Sequence, residues 1–106
     1  IKSSGYRISP TDIEEVLMGV GRFRQVAVIG VPDPVIGQYV HAFVELVDEF
    51  LSSDENHQAI SIAECARVLP AYMVPRRVEI ISSIPTGPNG KVDYIALKKQ
   101  KLDELT

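Results

Sequence analysis

The chain has 106 residues, of which 45% are hydrophobic and 24% charged, with a net charge of −3. That size and balance fit one soluble domain with a modest core, and the negative charge argues against nucleic acid as the main partner. A single cysteine, Cys65, excludes an internal disulfide and makes a reducing, cytoplasmic setting the expectation. No apolar run approaches a membrane span, and no segment reads as a signal peptide.

The opening, IKSSGYRISP, reads as the interior of a longer chain. IKSSGYRI is expected to form a short strand or an extended loop with a glycine inside it. Ser9 followed by Pro10 is a good helix start, because Ser caps and Pro suits the first turn. Thr11 and Glu14 offer an alternative capping box. Ile13, Val16, Leu17 and Val20 recur at helical spacing, and Gly19 and Gly21 end that helix. QVAVIGVP reads as a strand covered on both faces, since its apolar residues run almost without a break. PDPVIG is a turn, shaped by Asp33 and Gly37. QYVHAFVELV alternates more and predicts a longer strand.

DEFLSSDENHQA reads as a loop. A capping box from Ser61 to Glu64 predicts the next helix, with Ile62, Cys65, Ala66 and Leu69 buried and Pro70 as its stop. Tyr72, Met73 and Pro75 are expected to pack the helix exit beneath the sheet. RVEIIS is a third core strand. After a loop rich in Pro and Gly, Asp93 caps a last helix, YIALKKQKLDEL, with Ile95, Leu102 and Leu105 on its inner side. The order of strand, helix, strand, strand, helix, strand, helix predicts an α+β domain: a small three-stranded sheet with helices packed on it.

Most familiar chemistries find no support in the residues. His41 and His57 lack partners at metal-ligand spacing, so no metal site is expected. No Ser-His-Asp arrangement is suggested. Cys65 falls on an apolar helix face, where burial outweighs reactivity. LKKQK reads as a solvated helix face. Only two stretches look chemical: SSGYR, residues 3–7, and PNGK, residues 88–91. In the second, Pro85, Gly87, Pro88 and Gly90 exert unusual backbone control just before Lys91.

Three segments, in order, resemble the C-terminal domain of adenylate-forming enzymes: IKSSGYRISPTDIEEVL, VAVIGVPDPVIGQYVHAFVEL and LPAYMVPRRVEIISSIPTGPNGKVD. SGYRISP and LPAYMVP lean toward acyl-CoA ligases. The resemblance covers almost the whole chain. It implies a mobile lid on a larger N-terminal domain that binds ATP and a carboxylic acid, with Mg held mainly by that domain. It also implies a hinge residue just before Ile1 and no turnover by the lid alone. Lys91 takes the place of the family's catalytic lysine, which supports attack of a carboxylate on the α-phosphate of ATP. The lid then rotates so that CoA can take the acyl group and AMP can leave. Gly5 matches the glycine lining the path of the CoA thiol, Arg7 an arginine that meets the adenylate phosphate, and Tyr6 lies between them in the same cofactor-facing loop. Arg67, Arg76 and Arg77 are weaker candidates for CoA phosphates.

Two departures stand out. Tyr94 replaces an Arg that usually follows the Asp after the lysine, and Thr86 and Gly87 precede Pro88 where a Lys often stands. The alternatives to Arg7 and Lys91 as functional groups are a surface ion pair with Asp12 or Glu14, and a plain exposed lysine after an Asn-Gly turn. The alternatives for the domain are a lid that loads a carrier protein, and a non-enzymatic α/β binding module.

Overall fold

The computed structural model describes residues 1–105. A two-residue hairpin opens the chain, β1 (Lys2–Ser3) and β2 (Tyr6–Arg7). Helix α1 (Pro10–Gly19) leads into the long strands β3 (Phe23–Asp33) and β4 (Gly37–Leu46). Helix α2 (His57–Val68) crosses to the short strand β5 (Arg77–Ile80), and α3 (Tyr94–Leu105) follows the Pro/Gly loop. The sheet order is β3-β4-β5, with β3 and β4 antiparallel and β4 and β5 parallel. The parallel pair needs a crossover, and α2 supplies it. The architecture is α+β, as the pattern of elements predicts.

Both faces of the sheet are covered. On one, Val26, Val28, Val40, Ala42, Val44 and Val78 pack with Ile13 and Leu17 of α1 and Cys65 of α2. On the other, Ala27, Ile29, Val31 and Phe43 pack with Ile84 and with Leu97 of α3. The period-2 alternation of β3 and β4 explains this, since neighbouring residues serve opposite clusters. The β3–β4 turn forms as predicted. Asp33 Oδ1 accepts the N–H groups of Val35 and Ile36 at 2.8 and 3.1 Å. Those two bonds, Ile36 foremost, and the Arg76 guanidinium hold the Asp33 carboxyl below its usual range.

Each of the three helices differs in detail from expectation. At α1, Ser9 is in the cap position and Pro10 begins the helix, but the Ser9 side chain makes no cap hydrogen bond. Glu14 also leaves the capping box, because its carboxylate accepts the Val28 N–H on the free edge of β3 at 2.9 Å. Such a side-chain plug is one way to blunt an exposed strand edge.

Helix α2 starts four residues before Ser61. Asn56 caps it by accepting the Ala59 N–H at 3.0 Å. Ser61 is buried inside the helix rather than capping it, Cys65 is buried as expected, and Ala66 is exposed. The Cys65 thiol is pushed up to about 11 by burial and, next, by Glu64, which fits an unreactive thiol.

The inner side of α3 is the largest correction. Ile95, Leu102 and Leu105 are 81%, 44% and 56% exposed, while Leu97 and Lys101 face inward. Leu97 fills the second cluster. Lys101 Nζ sits 3.3 Å from Glu79 and 3.1 Å from Glu104. The Glu79 carboxylate also accepts from His41 Nε2 at 3.0 Å. A polar contact selected the helix face, so hydropathy pointed the wrong way. Asp93 does cap α3, accepting the Ala96 N–H at 3.0 Å. Among the described residues no helix is long and apolar enough to cross a membrane.

His41 is fully buried in the middle strand. Burial above all, and then the Lys101 ammonium, pulls its pKa down, against the opposing pull of Glu79. With Nε2 donating to Glu79, protonation would add an N–H at Nδ1, which has no partner among the described residues. The unfolded chain takes up that proton near its ordinary value of about 6.5, and the folded chain resists it. The stability this group contributes is therefore present above about pH 6.5 and lost as pH falls toward the folded pKa. Urea unfolding at pH 8 and pH 5 should show a drop in midpoint that is smaller in His41→Leu. An equal drop in both proteins would show that His41 is not the group responsible.

Candidate functional site

The Pro/Gly loop is a small hairpin with its own hydrogen bonds. Thr86 and Val92 form an antiparallel bridge, and Asp93 N–H donates to the Pro85 carbonyl at 2.8 Å. At the tip, Gly90 N–H donates to the Gly87 carbonyl at 3.0 Å, and Gly87 N–H to the Lys91 carbonyl at 2.8 Å. Pro88 occupies the second position of that turn, where its fixed φ is an advantage. Gly90 has φ +79°, which a residue with a side chain adopts only with strain. Asn89 Oδ1 accepts the Lys91 N–H at 3.1 Å. Val92 and Ile84 anchor the hairpin in the second cluster.

Lys91 is exposed. Its backbone is fixed by these bonds, while its ammonium makes no hydrogen bond or ion pair among the described residues. A fixed stem with a free cation is suited to meeting anionic oxygens supplied from outside the domain.

SSGYR forms the opening hairpin. Ser4 and Gly5 are its two turn residues, with φ +51° and +83°. Positive φ at both positions matches the twist of the flanking strands and favours glycine. Ser4 N–H donates to the Ile36 carbonyl at 2.8 Å, tying the hairpin to the β3–β4 turn. The Tyr6 ring stacks on Tyr72, with centroids 4.0 Å apart and planes at 8°. Ile8, just past β2, is buried in the first cluster, and Tyr72 packs against that cluster. A cleft of about 390 Å³ lies beside the hairpin, its lining including Ser3, Ser4, Tyr39, Tyr72 and Arg76.

Arg7 is exposed and forms no ion pair with Asp12, Glu14 or any other described residue. Of the weaker arginines, Arg67 is engaged by Glu64, and Arg76 by Asp33 at 3.2 Å and the Tyr39 ring at 4.1 Å. Arg77 is exposed at the start of β5.

The structure does not gather Gly5, Tyr6, Arg7 and Lys91 into one pocket. The glycine hairpin is anchored from the face that carries α1 and α2, and the lysine hairpin from the face that carries α3. Sequence reasoning named both tips but missed their supports: Glu45, Glu14 and the Tyr6–Tyr72 stack. Only the departure at Tyr94 signalled any of these. Its hydroxyl donates to Glu14 at 2.7 Å, and its pKa is pushed up to about 12 by burial and that bond. Among the described residues no group of three His, Cys, Asp or Glu side chains is placed to hold a metal ion.

The domain thus carries two separately anchored hairpins, each held by backbone hydrogen bonds. Residues 12–91 match the family model of the AMP-binding enzyme C-terminal domain, and the chain belongs to that family. It is 34% identical over 106 residues to acyl-coenzyme A synthetase ACSM1, mitochondrial, of Homo sapiens, covering 99% of this chain and 18% of that protein. It is 37% identical over 102 residues to acyl-coenzyme A synthetase ACSM2, mitochondrial, of Rattus norvegicus, covering 95% of this chain and 18% of that protein. Among solved structures, a Brucella canis acyl-CoA synthetase superposes with a TM-score of 0.89 at 31% identity, over 99% of this chain and 19% of that one. The amide bond synthetase McbA of Marinactinospora thermotolerans gives 0.84 at 34% identity, over 94% and 19%. The chain thus spans about a fifth of the relatives it matches.

A Cβ built on Gly5 meets nothing within 4 Å. Gly5→Leu should therefore keep the fold and lower unfolding free energy only by the strain of its positive φ, about 1–2 kcal/mol. Denaturant titration with far-UV circular dichroism reads this directly. A loss above about 4 kcal/mol, or a changed spectrum, would contradict an open turn.

Proposed function

We propose that this domain is the C-terminal catalytic lid of an AMP-forming acyl-CoA ligase. It would act on a larger N-terminal domain that holds ATP, magnesium and the carboxylic acid. The observation that carries this reading is Lys91: a pinned backbone presenting an unpaired, exposed ammonium, in a chain that belongs to the AMP-binding enzyme family. Adenylation joins a carboxylate to a phosphate, so negative charge concentrates where they meet. An ammonium held at that point lowers the barrier because it is already in place when the charge develops. The carboxylate oxygen forms a bond to the α-phosphorus, and the bond to pyrophosphate breaks.

In the second half, the CoA sulfur bonds to the acyl carbon and AMP leaves. The separate anchoring of the two hairpins, one in each packing cluster, supports a turn of the domain between the halves. The Gly5 turn would then line the thiol's route. Its Cβ position is open within this domain, so a side chain there would project toward whatever docks on the hairpin. Arg7, free of internal ion pairs, is available for the adenylate phosphate, and the stacked Tyr6 stiffens the same hairpin. Magnesium would be held mainly by the larger domain, since no group of three His, Cys, Asp or Glu side chains among the described residues is placed to hold a metal ion.

The acyl-coenzyme A synthetases among the relatives favour CoA over a carrier-bound thiol. The family match weighs against a stand-alone binding module. The cytoplasm is the proposed compartment, on the strength of a single, buried cysteine. An acid of fatty-acid metabolism is the proposed substrate class.

In the full-length enzyme, Lys91→Ala should cut acid-dependent pyrophosphate exchange by about 10²-fold or more, while thioester formation from supplied acyl-adenylate is retained. Gly5→Leu should do the reverse. Equal loss of both activities in both variants would rule out two separate working faces.

A further inference from the structure

The lysine hairpin is closed by its own hydrogen bonds, but those bonds do not fix where the hairpin sits on the sheet. Two carboxylates from other elements do, together with the Ile84 and Val92 side chains in the second cluster. At its entry, Ile84 N–H donates to Glu45 Oε2 at 2.7 Å. At its exit, three residues past Lys91, the Tyr94 hydroxyl donates to Glu14 Oε2 at 2.7 Å. We infer that Glu45 and the Glu14–Tyr94 pair are positioning residues that aim Lys91, an inference that rests on the adenylation role proposed for that lysine.

Glu45 carries most of the argument. It lies on the middle strand β4 and is 7% exposed. Burying a carboxylate costs free energy unless its oxygens are paired. Here Oε1 takes the Arg24 Nε at 3.2 Å, and Oε2 takes the one backbone N–H that begins the loop. An apolar residue would satisfy this buried site as well as its neighbour Phe43 does, without bonding Ile84. A charge-assisted bond to a backbone donor also has a narrow geometry, so it fixes the entry point more tightly than packing alone. The Ile84 side chain, 2% exposed, plugs the second cluster beside it.

At the exit, Glu14 Oε2 receives both the Tyr94 hydroxyl and the Val28 N–H. One oxygen thus ties α3, α1 and the edge of β3. With entry and exit both held, the free Lys91 ammonium is the moving part of an otherwise fixed arm. Misplacing a reacting or stabilising group by about 1 Å costs up to about 10²-fold in rate.

The test uses the full-length enzyme and measures pyrophosphate exchange and thioester formation from supplied acyl-adenylate. Glu45→Leu, Glu45→Gln and Tyr94→Phe are each made alone and in a Lys91→Ala background. Glu45→Leu should lower kcat for adenylation about tenfold or more, with KM for ATP and acid and the thioester half-reaction nearly unchanged. Glu45→Gln keeps an acceptor oxygen for Ile84 and should restore most of the rate. Tyr94→Phe, which should fold even if Glu45→Leu does not, should give a smaller loss of the same kind.

In the Lys91→Ala background none of the three should cost more, since they act through the lysine. The inference is overturned if the variants leave adenylation intact while Lys91→Ala abolishes it. It is equally overturned if their losses fall on both half-reactions, or persist at full size in the Lys91→Ala background. Retention of adenylation by Lys91→Ala itself would instead sink the proposed role of the lysine, and the inference with it.

Discussion

Strand β4 lies in the middle of the sheet and is enclosed on both faces, and much of the domain follows from that constraint. A strand so placed must pack apolar side chains in two directions and find partners for the charged and strongly polar side chains it carries. Its even-numbered residues Val40, Ala42, Val44 and Leu46 meet α1 and α2. On the opposite face Phe43 is apolar, but His41 and Glu45 are not. His41 is answered by Glu79, and Glu79 by Lys101. Glu45 is answered by Arg24 and Ile84. Those needs decide which side of α3 turns inward and where the lysine hairpin leaves the sheet.

The two hairpins inherit their placement from this core. The glycine hairpin rests on the face of α1 and α2, held by Ile8 and by Tyr6 against Tyr72. The lysine hairpin rests on the other face, held by Ile84 and Val92. In the proposed two-step reaction, a domain that turns as a unit would present each hairpin in its own half. Neither hairpin then has to refold between steps. Tight turns also lower the entropy lost when a tip is finally engaged, because most of that freedom is already gone.

The edge of β3 shows how one residue serves both architecture and site. Glu14 closes an exposed strand N–H and receives the Tyr94 hydroxyl. Tyr94 is one of the two places where this chain departs from the pattern it otherwise resembles. Its phenol meets Glu14 as a hydrogen-bond donor at 2.7 Å, and burial together with that bond pushes its pKa up to about 12.

Local chemistry was legible in the residues. Pro88, Asn89 and Gly90 dictate a turn whatever surrounds them, Asp93 caps the helix that follows it, and the apolar runs of β3 and β4 announce a buried sheet. The tight turn before Lys91 was legible in the same way, whereas a catalytic role for that lysine came only from the resemblance to adenylate-forming enzymes. The partners of buried polar groups were not legible. Asn56 rather than Ser61 starts α2, and Lys101 rather than Leu102 faces inward. Glu45 holds a loop that begins 39 residues later in the chain. Hydropathy ranks a side chain by its own cost of burial, whereas the fold decides by the charge or donor that meets it, and only the three-dimensional arrangement supplies that second group.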